Sequence, residues 1–157
     1  MHPKTALMEK AVALALEAEQ SGNYRIGALV ANAGGDIIST AYTQLDTTVD
    51  PTAHGEIMAL REACERAGSR YLPGHYLYST LEPCPMCTSA AIWAKLGGIV
   101  FGASLEDALE LGRHTGRSWR QIRLKAEQVI EAGDPVLQLH PGCLRERCLY
   151  LIGGTKE

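Results

Sequence analysis

Two short strings, HGE at residues 54–56 and PCPMC at residues 83–87, restrict the folds open to this chain more than any other feature. Two thiolates and one imidazole are soft-to-borderline ligands of the kind zinc takes, and three protein ligands leave a fourth tetrahedral position to water or hydroxide. His54, Cys84 and Cys87 can hold one ion only if the fold brings both strings to a single point. Cys84 and Cys87 stand three apart, so in the first turn of a helix both sulfurs face one side, and the positive end of the helix favours their thiolate forms. His54 and Glu56 stand two apart, which inside a regular helix would point them to nearly opposite sides. They are therefore expected where a helix is only beginning. Pro51 biases the chain before it toward extended geometry and Thr52 can act as a cap. Glu56 would then lie beside the water without ligating the metal, in the position of a proton shuttle.

The pattern around these strings predicts the sheet that carries them. Pro3 opens and Gly22 ends a helix with Leu7, Ala11, Leu14 and Ala18 on one stripe. IGALVAN reads as a buried strand, and Gly34-Gly35 is a hairpin signal leading antiparallel into DIISTAYT. After a polar loop from Gln44 to Pro51, AHGEIMALREACERAG forms a helix stopped by Gly68. HYLYST and GIVFGA read as strands, with the helix of LEPCPMCTSAAIWAKL between them starting at its prolines. Helices between the later strands imply parallel crossovers, hence a mixed sheet with helices on it. Beyond Ser104 the expected elements are helices at about 105–112 and 118–132, a short strand PVLQL, and a last helix from about Cys143 to Ile152. No repeat or linker divides residues 1–157, so a single domain is expected.

A chain of 157 residues buries about two-thirds of its unfolded surface without a staple, so a metal is expected to serve chemistry. The net charge of -3 weighs against a protein built mainly to hold nucleic-acid phosphates. Five cysteines, an odd number, fit a reduced compartment. The apolar stretch AVALAL is short and follows Glu9 and Lys10, so no export or membrane segment is expected, and a cytoplasmic location is.

HGE with PCPMC resembles the zinc-dependent cytidine, deoxycytidylate and nucleobase deaminase superfamily. DPTAHGEIMALR and LYSTLEPCPMC, with IVFGA after them, resemble its tRNA adenosine deaminase and guanine deaminase branches, densely from about Ile26 to Ala103. Gly55, where many relatives have Ala, is similar to fungal-type cytosine deaminases. The resemblance implies a three-layer α/β/α fold around a mixed five-stranded sheet. It also implies His54, Cys84 and Cys87 as ligands of one zinc per chain, with water or hydroxide as the fourth, and Glu56 as general acid/base. The implied reaction is hydrolytic removal of an exocyclic amine from an amidine-like ring carbon, in a homodimer or larger assembly. Two departures stand out. Thr43 occupies the place of an Asn that contacts substrate in this branch, and a hydroxyl lacks the amide's paired donor and acceptor. Arg25 stands where Pro is common, beside Tyr24 at a pocket-lining place. Tyr24 and Arg25 are expected to line the pocket entrance and to help replace the Asn.

Three functions follow. A free nucleobase or nucleoside substrate comes first, with a guanine-type purine ahead of cytosine because of EPCPMC and AIWA. Adenosine in tRNA comes second, favoured by DPTAHGEIMALR and opposed by the overall acidity and the uncharged LYLIGG near the end. A catalytically silent zinc-binding assembly subunit comes third, and the intact Glu56 speaks against it. The opposing view of the ligand set is a structural zinc site completed by Cys64, Cys143 or His75. Cys64, Cys143 and Cys148 are expected as core thiols, and His75, His114 and His140 as turn or surface residues. Trp93 is expected in the core, with substrate contact as the alternative. RHTGRSWRQIRLK carries Arg113, Arg117, Arg120, Arg123 and Lys125 with no acid. It reads as a solvated face or subunit interface, with phosphate or RNA contact as the alternative.

Overall fold

The computed structural model describes residues 1–116 and 122–153. Its sheet has five strands, β1 (Gly27–Ala31), β2 (Ile37–Tyr42), β3 (Tyr76–Leu81), β4 (Gly98–Ala103) and β5 (Gln138–His140), in the order β2-β1-β3-β4-β5. β1 runs antiparallel to both β2 and β3, while β3, β4 and β5 are parallel. The helices are α1 (Thr5–Gln20), α2 (Leu45–Thr48), α3 (Gly55–Ala67), α4 (Pro85–Trp93), α5 (Leu105–Thr115), α6 (Ala126–Glu131) and α7 (Arg145–Gly153).

Successive strand side chains point to opposite faces, and here each face has its own helices. Leu29, Tyr78 and Val100 meet Met8 and Ala11 of α1, Ala108 of α5 and Cys148 and Leu151 of α7. Val30, Leu77, Ile99 and Phe101 meet Ala59 and Leu60 of α3, Ala91 of α4 and Ile130 of α6. This is the expected three-layer α/β/α arrangement around a mixed sheet. With both faces covered, β1, β3 and β4 read as nearly continuous apolar runs rather than as alternating ones. At Gly27 a side chain would collide with the Ala11 carbonyl, so glycine there lets α1 lie directly on β1. The first residues are tied to the sheet: His2 Nδ1 is 2.7 Å from the Tyr78 hydroxyl, and the His2 ring stacks on Tyr76.

Three elements differ from expectation. The polar loop after β2 contains α2, which Val49 ends in the left-handed conformation (φ 51°). The helix expected over 118–132 is only α6, because Lys125 is extended (φ -73°, ψ 148°) and residues 122–125 precede it without helical structure. The earlier part of that expected helix, 118–121, lies outside the described residues. The strand expected from PVLQL is the shorter β5, shifted toward His140.

α5 begins with a reciprocal cap, in which Ser104 Oγ accepts the Asp107 N–H at 3.0 Å and Asp107 Oδ2 accepts the Ser104 N–H at 2.9 Å. The same carboxylate takes Arg145 of α7 in a two-pronged contact of 2.6 and 3.1 Å. Burial pushes the Asp107 carboxyl up, but hydrogen bonds from Arg145 and Ser104 outweigh it and hold the group below its ordinary value. A carboxyl depressed on folding stabilises above its ordinary value, and the contribution is lost as pH falls through the depressed one. Asp107→Asn is therefore expected to cost about 1 kcal/mol at pH 7, an amount kept small by solvent screening, and clearly less at pH 3. Urea unfolding at the two pH values measures the difference.

Candidate active site

Two helix starts converge beyond the ends of β2 and β3. His54 is the N-cap of α3 in extended conformation (φ -65°, ψ 147°), followed by Gly55 and Glu56 as its first two helical residues. The turn into the helix is what lets residues two apart serve one place. Cys84 is the N-cap of α4 (φ -69°, ψ 171°), Pro85 opens that helix with its ring preset for helical φ, and Cys87 completes the first turn. The start of α3 lies close against the end of β2. A Cβ at Gly55 would stand 3.2 Å from Thr43 N and from the Tyr42 carbonyl carbon, and Thr43 Oγ1 accepts the Gly55 N–H at 3.3 Å.

His54 Nδ1 lies 3.6 Å from Cys84 Sγ and 3.5 Å from Cys87 Sγ, and the two sulfurs are 3.7 Å apart. A tetrahedral zinc with Zn–S near 2.3 Å and Zn–N near 2.0 Å requires S–S edges of about 3.8 Å and S–N edges of about 3.5 Å. The donor set and its spacing therefore fit zinc. The neighbouring Cys87 sulfur is the largest influence on Cys84, pulling its thiol down to about 4 against the opposing effect of burial, with the His54 hydrogen bond adding to it. Among the described residues this is the one group of three or more His, Cys, Asp or Glu side chains placed to hold a metal. Cys64, Cys143 and His75 do not join it. Burial raises the thiols of Cys64 and Cys143, and pushes that of Cys148 up to about 12, as suits thiols set against apolar neighbours. His75 bonds the Pro73 carbonyl in its own turn.

A cavity of about 650 Å³ opens on the cluster. Tyr24, Thr43, His54, Glu56 and Cys84 line it, as do Asp46, Asp50, Glu82 and the apolar Ile26, Met86 and Ile122. Glu56 is 4% exposed. Asp50 Oδ1 accepts both the Thr52 hydroxyl (2.7 Å) and the Thr52 N–H (2.8 Å), and these bonds hold the carboxyl below its ordinary range.

Two residues singled out from the sequence do not line this cavity. Arg25 is 7% exposed and is covered by residues away from the cavity, pairing with Glu19 at 3.2 Å and lying 5.9 Å from the Tyr150 ring. Trp93 is neither in the core nor on the cavity wall: the inward side of α4 is Cys87, Thr88 and Ala91, and two residues past Ala91 the helix faces outward, leaving Trp93 81% exposed. In the basic stretch, Arg113 and His114 both meet Glu110, and Lys125 pairs with Glu106 at 2.6 Å. Arg117, Trp119 and Arg120 lie outside the described residues. Sequence reasoning missed Asp46, Asp50, Glu82, Met86 and Ile122 as lining residues. Asp50 and Glu82 sit inside the quoted strings and were open to notice, whereas nothing near Ile122 marks it.

Residues 1–103 match the cytidine and deoxycytidylate deaminase zinc-binding region. The chain is 38% identical over 100 residues to a tRNA-specific adenosine deaminase of Aquifex aeolicus, covering 64% of this chain and 66% of that one. It is 35% identical over 122 residues to a guanine deaminase of Bacillus subtilis, covering 77% and 78%. The share of a curated relative that it spans falls as low as 19%. The solved guanine deaminase of Nitrosomonas europaea superposes with a TM-score of 0.81 over 97% of this chain and 84% of that one, a likeness of fold at 21% identity. Among the described residues no helix is long and apolar enough to cross a membrane. With two helix starts presenting one imidazole and two sulfurs at zinc spacing, on the matching fold and within the matched residues, the chain belongs to the cytidine and deoxycytidylate deaminase zinc-binding family.

Proposed function

We propose that this chain is a hydrolytic deaminase that removes an exocyclic amine from a free nucleobase or nucleoside, with guanine-type purines ahead of cytosine. The observation that carries the substrate class is the sign of the cavity: Asp46, Asp50, Glu56 and Glu82 line it, and no Lys or Arg does among the described residues. A phosphate-bearing substrate would meet like charge there, whereas the ring N–H, amine and hydroxyl donors of a base or nucleoside would meet acceptors on Asp46, Asp50 and Glu56. Glu82 adds charge only, since each of its oxygens already accepts a backbone N–H. Adenosine in tRNA is the second reading, favoured by the 38% identity to a tRNA-specific adenosine deaminase.

His54, Cys84 and Cys87 would hold one zinc ion, which would supply the Lewis acidity that makes water a nucleophile near neutral pH. Glu56 carries the protons. It takes one from the attacking water and delivers it to the ring nitrogen next to the amine-bearing carbon, then takes the proton of the hydroxyl added to that carbon and passes it to the amine, so that the C–N bond breaks, ammonia leaves and a carbonyl remains. Ile26, Met86 and Ile122 offer a flat ring apolar walls that exclude water. Thr43, whose hydroxyl already accepts the Gly55 N–H, serves first to seat the start of α3 rather than to read the base. An assembly of two or more chains and a cytoplasmic location are consistent with this reading.

Ammonia release from guanine, cytosine, adenine and their nucleosides tests the reaction: Glu56→Gln is expected to lose about a thousandfold in kcat while keeping zinc at one per chain. Wild-type protein that releases nothing from any of them, yet binds a tRNA stem-loop in a salt-sensitive manner, overturns the base or nucleoside reading in favour of tRNA. Chelation is expected to abolish activity reversibly on zinc return and to leave the far-ultraviolet circular dichroism unchanged, because the two apolar layers contain none of the three ligands. Thr43→Val removes the acceptor of a buried N–H and is expected to cost about 1 kcal/mol in chemical denaturation, with Thr43→Ser restoring most of it.

A further inference from the structure

Glu82 follows β3 directly and precedes the cysteine string, and it is 5% exposed. Its backbone N–H donates to the Ala103 carbonyl at 2.8 Å, tying the ends of β3 and β4. Its carboxylate reaches two helix starts at once: Oε1 accepts the Leu105 N–H at 2.9 Å, and Oε2 the Ala126 N–H at 2.7 Å. These are the first N–H groups of α5 and α6, which no carbonyl within their own helices can satisfy. The side chains that cap these helices do not take them, since Ser104 Oγ accepts from Asp107 and Gln128 Oε1 from Lys125. A carboxylate shared between two helix N-termini gains from both positive ends, and its hydrogen bonds are of the stronger, charge-assisted kind.

The consequence lies in what those helices bracket. Ala126 is the first residue of α6, and Ile122, four residues earlier, lies on the cavity wall. Met86, four residues after Glu82, lies on that wall as well. One buried carboxylate thus ties the ligand string to the segment that carries Ile122. The Lys125–Glu106 ion pair is a second tie, but it is exposed and correspondingly weak.

We propose that Glu82 is a positioning residue that sets substrate affinity: by joining the starts of α5 and α6 to the cysteine string it holds Ile122 on the cavity wall, while proton transfer stays with Glu56. The kinetic part of this proposal rests on the deaminase reading above. Glu82→Gln keeps the shape but turns an amide N–H₂ toward one of the two donors. It is expected to raise KM for the base about tenfold with kcat within about twofold, because a wall contact common to ground and transition states is what weakens. Ile122→Ala is expected to do the same, and the double variant to be little worse than either alone, since both act on one contact. Ala126→Pro removes a single donor at a first helical position that tolerates proline, after a residue already extended, and is expected to give the same KM rise. It decides the matter if Glu82→Gln does not fold. A fall in kcat at unchanged KM, multiplying effects in the double variant, or an unchanged KM in Ile122→Ala overturns the proposal. Amide hydrogen exchange read by mass spectrometry needs no substrate: Glu82→Gln is expected to speed exchange in residues 122–128 and leave 54–67 as in the wild type. Unaltered exchange in 122–128 overturns the tie. If the wild type deaminates no base or nucleoside, the substrate reading fails by itself, and exchange still decides for or against the tie.

Discussion

Everything at the candidate site depends on where two helices begin. A histidine and a cysteine in extended backbone, each one residue before a helix, bring their donor atoms to within 3.6 Å of each other. The positive ends of α3 and α4 then bear on the same point, which favours thiolates there before any metal is considered. The sheet makes this possible. β1 joins antiparallel β2 to parallel β3 and β4, so the chain segments that leave β2 and β3 for α3 and α4 come out at one end of it.

The strings around this point were legible because their spacing has no ordinary explanation. Residues two apart serve one place only where a helix starts, and the structure puts His54 and Glu56 there. The strand order was legible for a similar reason: uninterrupted apolar runs such as GIVFGA belong to strands covered on both faces. What sequence did not reveal depends on partners far along the chain. Arg25 is held away from the cavity by Glu19 and Tyr150, from α1 and α7, and no local pattern announces either. Trp93 is exposed because α4 is short and its phase is set by Cys87 and Ala91, although its place on an Ala-rich helix suggested core packing. Ile122 reaches the cavity from within a basic stretch that reads as a surface, brought there by the placement of α6.

The charge distribution changes meaning once it is located. Part of the basic stretch is spent on the acids of α5, where Glu110 meets Arg113 and His114, and Glu106 meets Lys125. The acids with consequence are instead those around the cavity, of which Glu56 and Glu82 are buried and so little screened. A net charge of -3 therefore describes the solution behaviour of the chain better than it describes the site.

The close approach of Gly55 to the end of β2 ties two properties that are usually treated apart. Residue 43 faces the cavity and also fixes, through its own backbone and hydroxyl, how near the first turn of α3 can come. His54 rides on that turn. A change at 43 that reshapes what the cavity accepts also shifts the imidazole relative to the two sulfurs, and a side chain added at 55 pushes on the same gap from the other side. Ligand preference and metal retention in this chain are thus not free to vary independently: substitutions at 43 and 55 are coupled, and each constrains what the other can become.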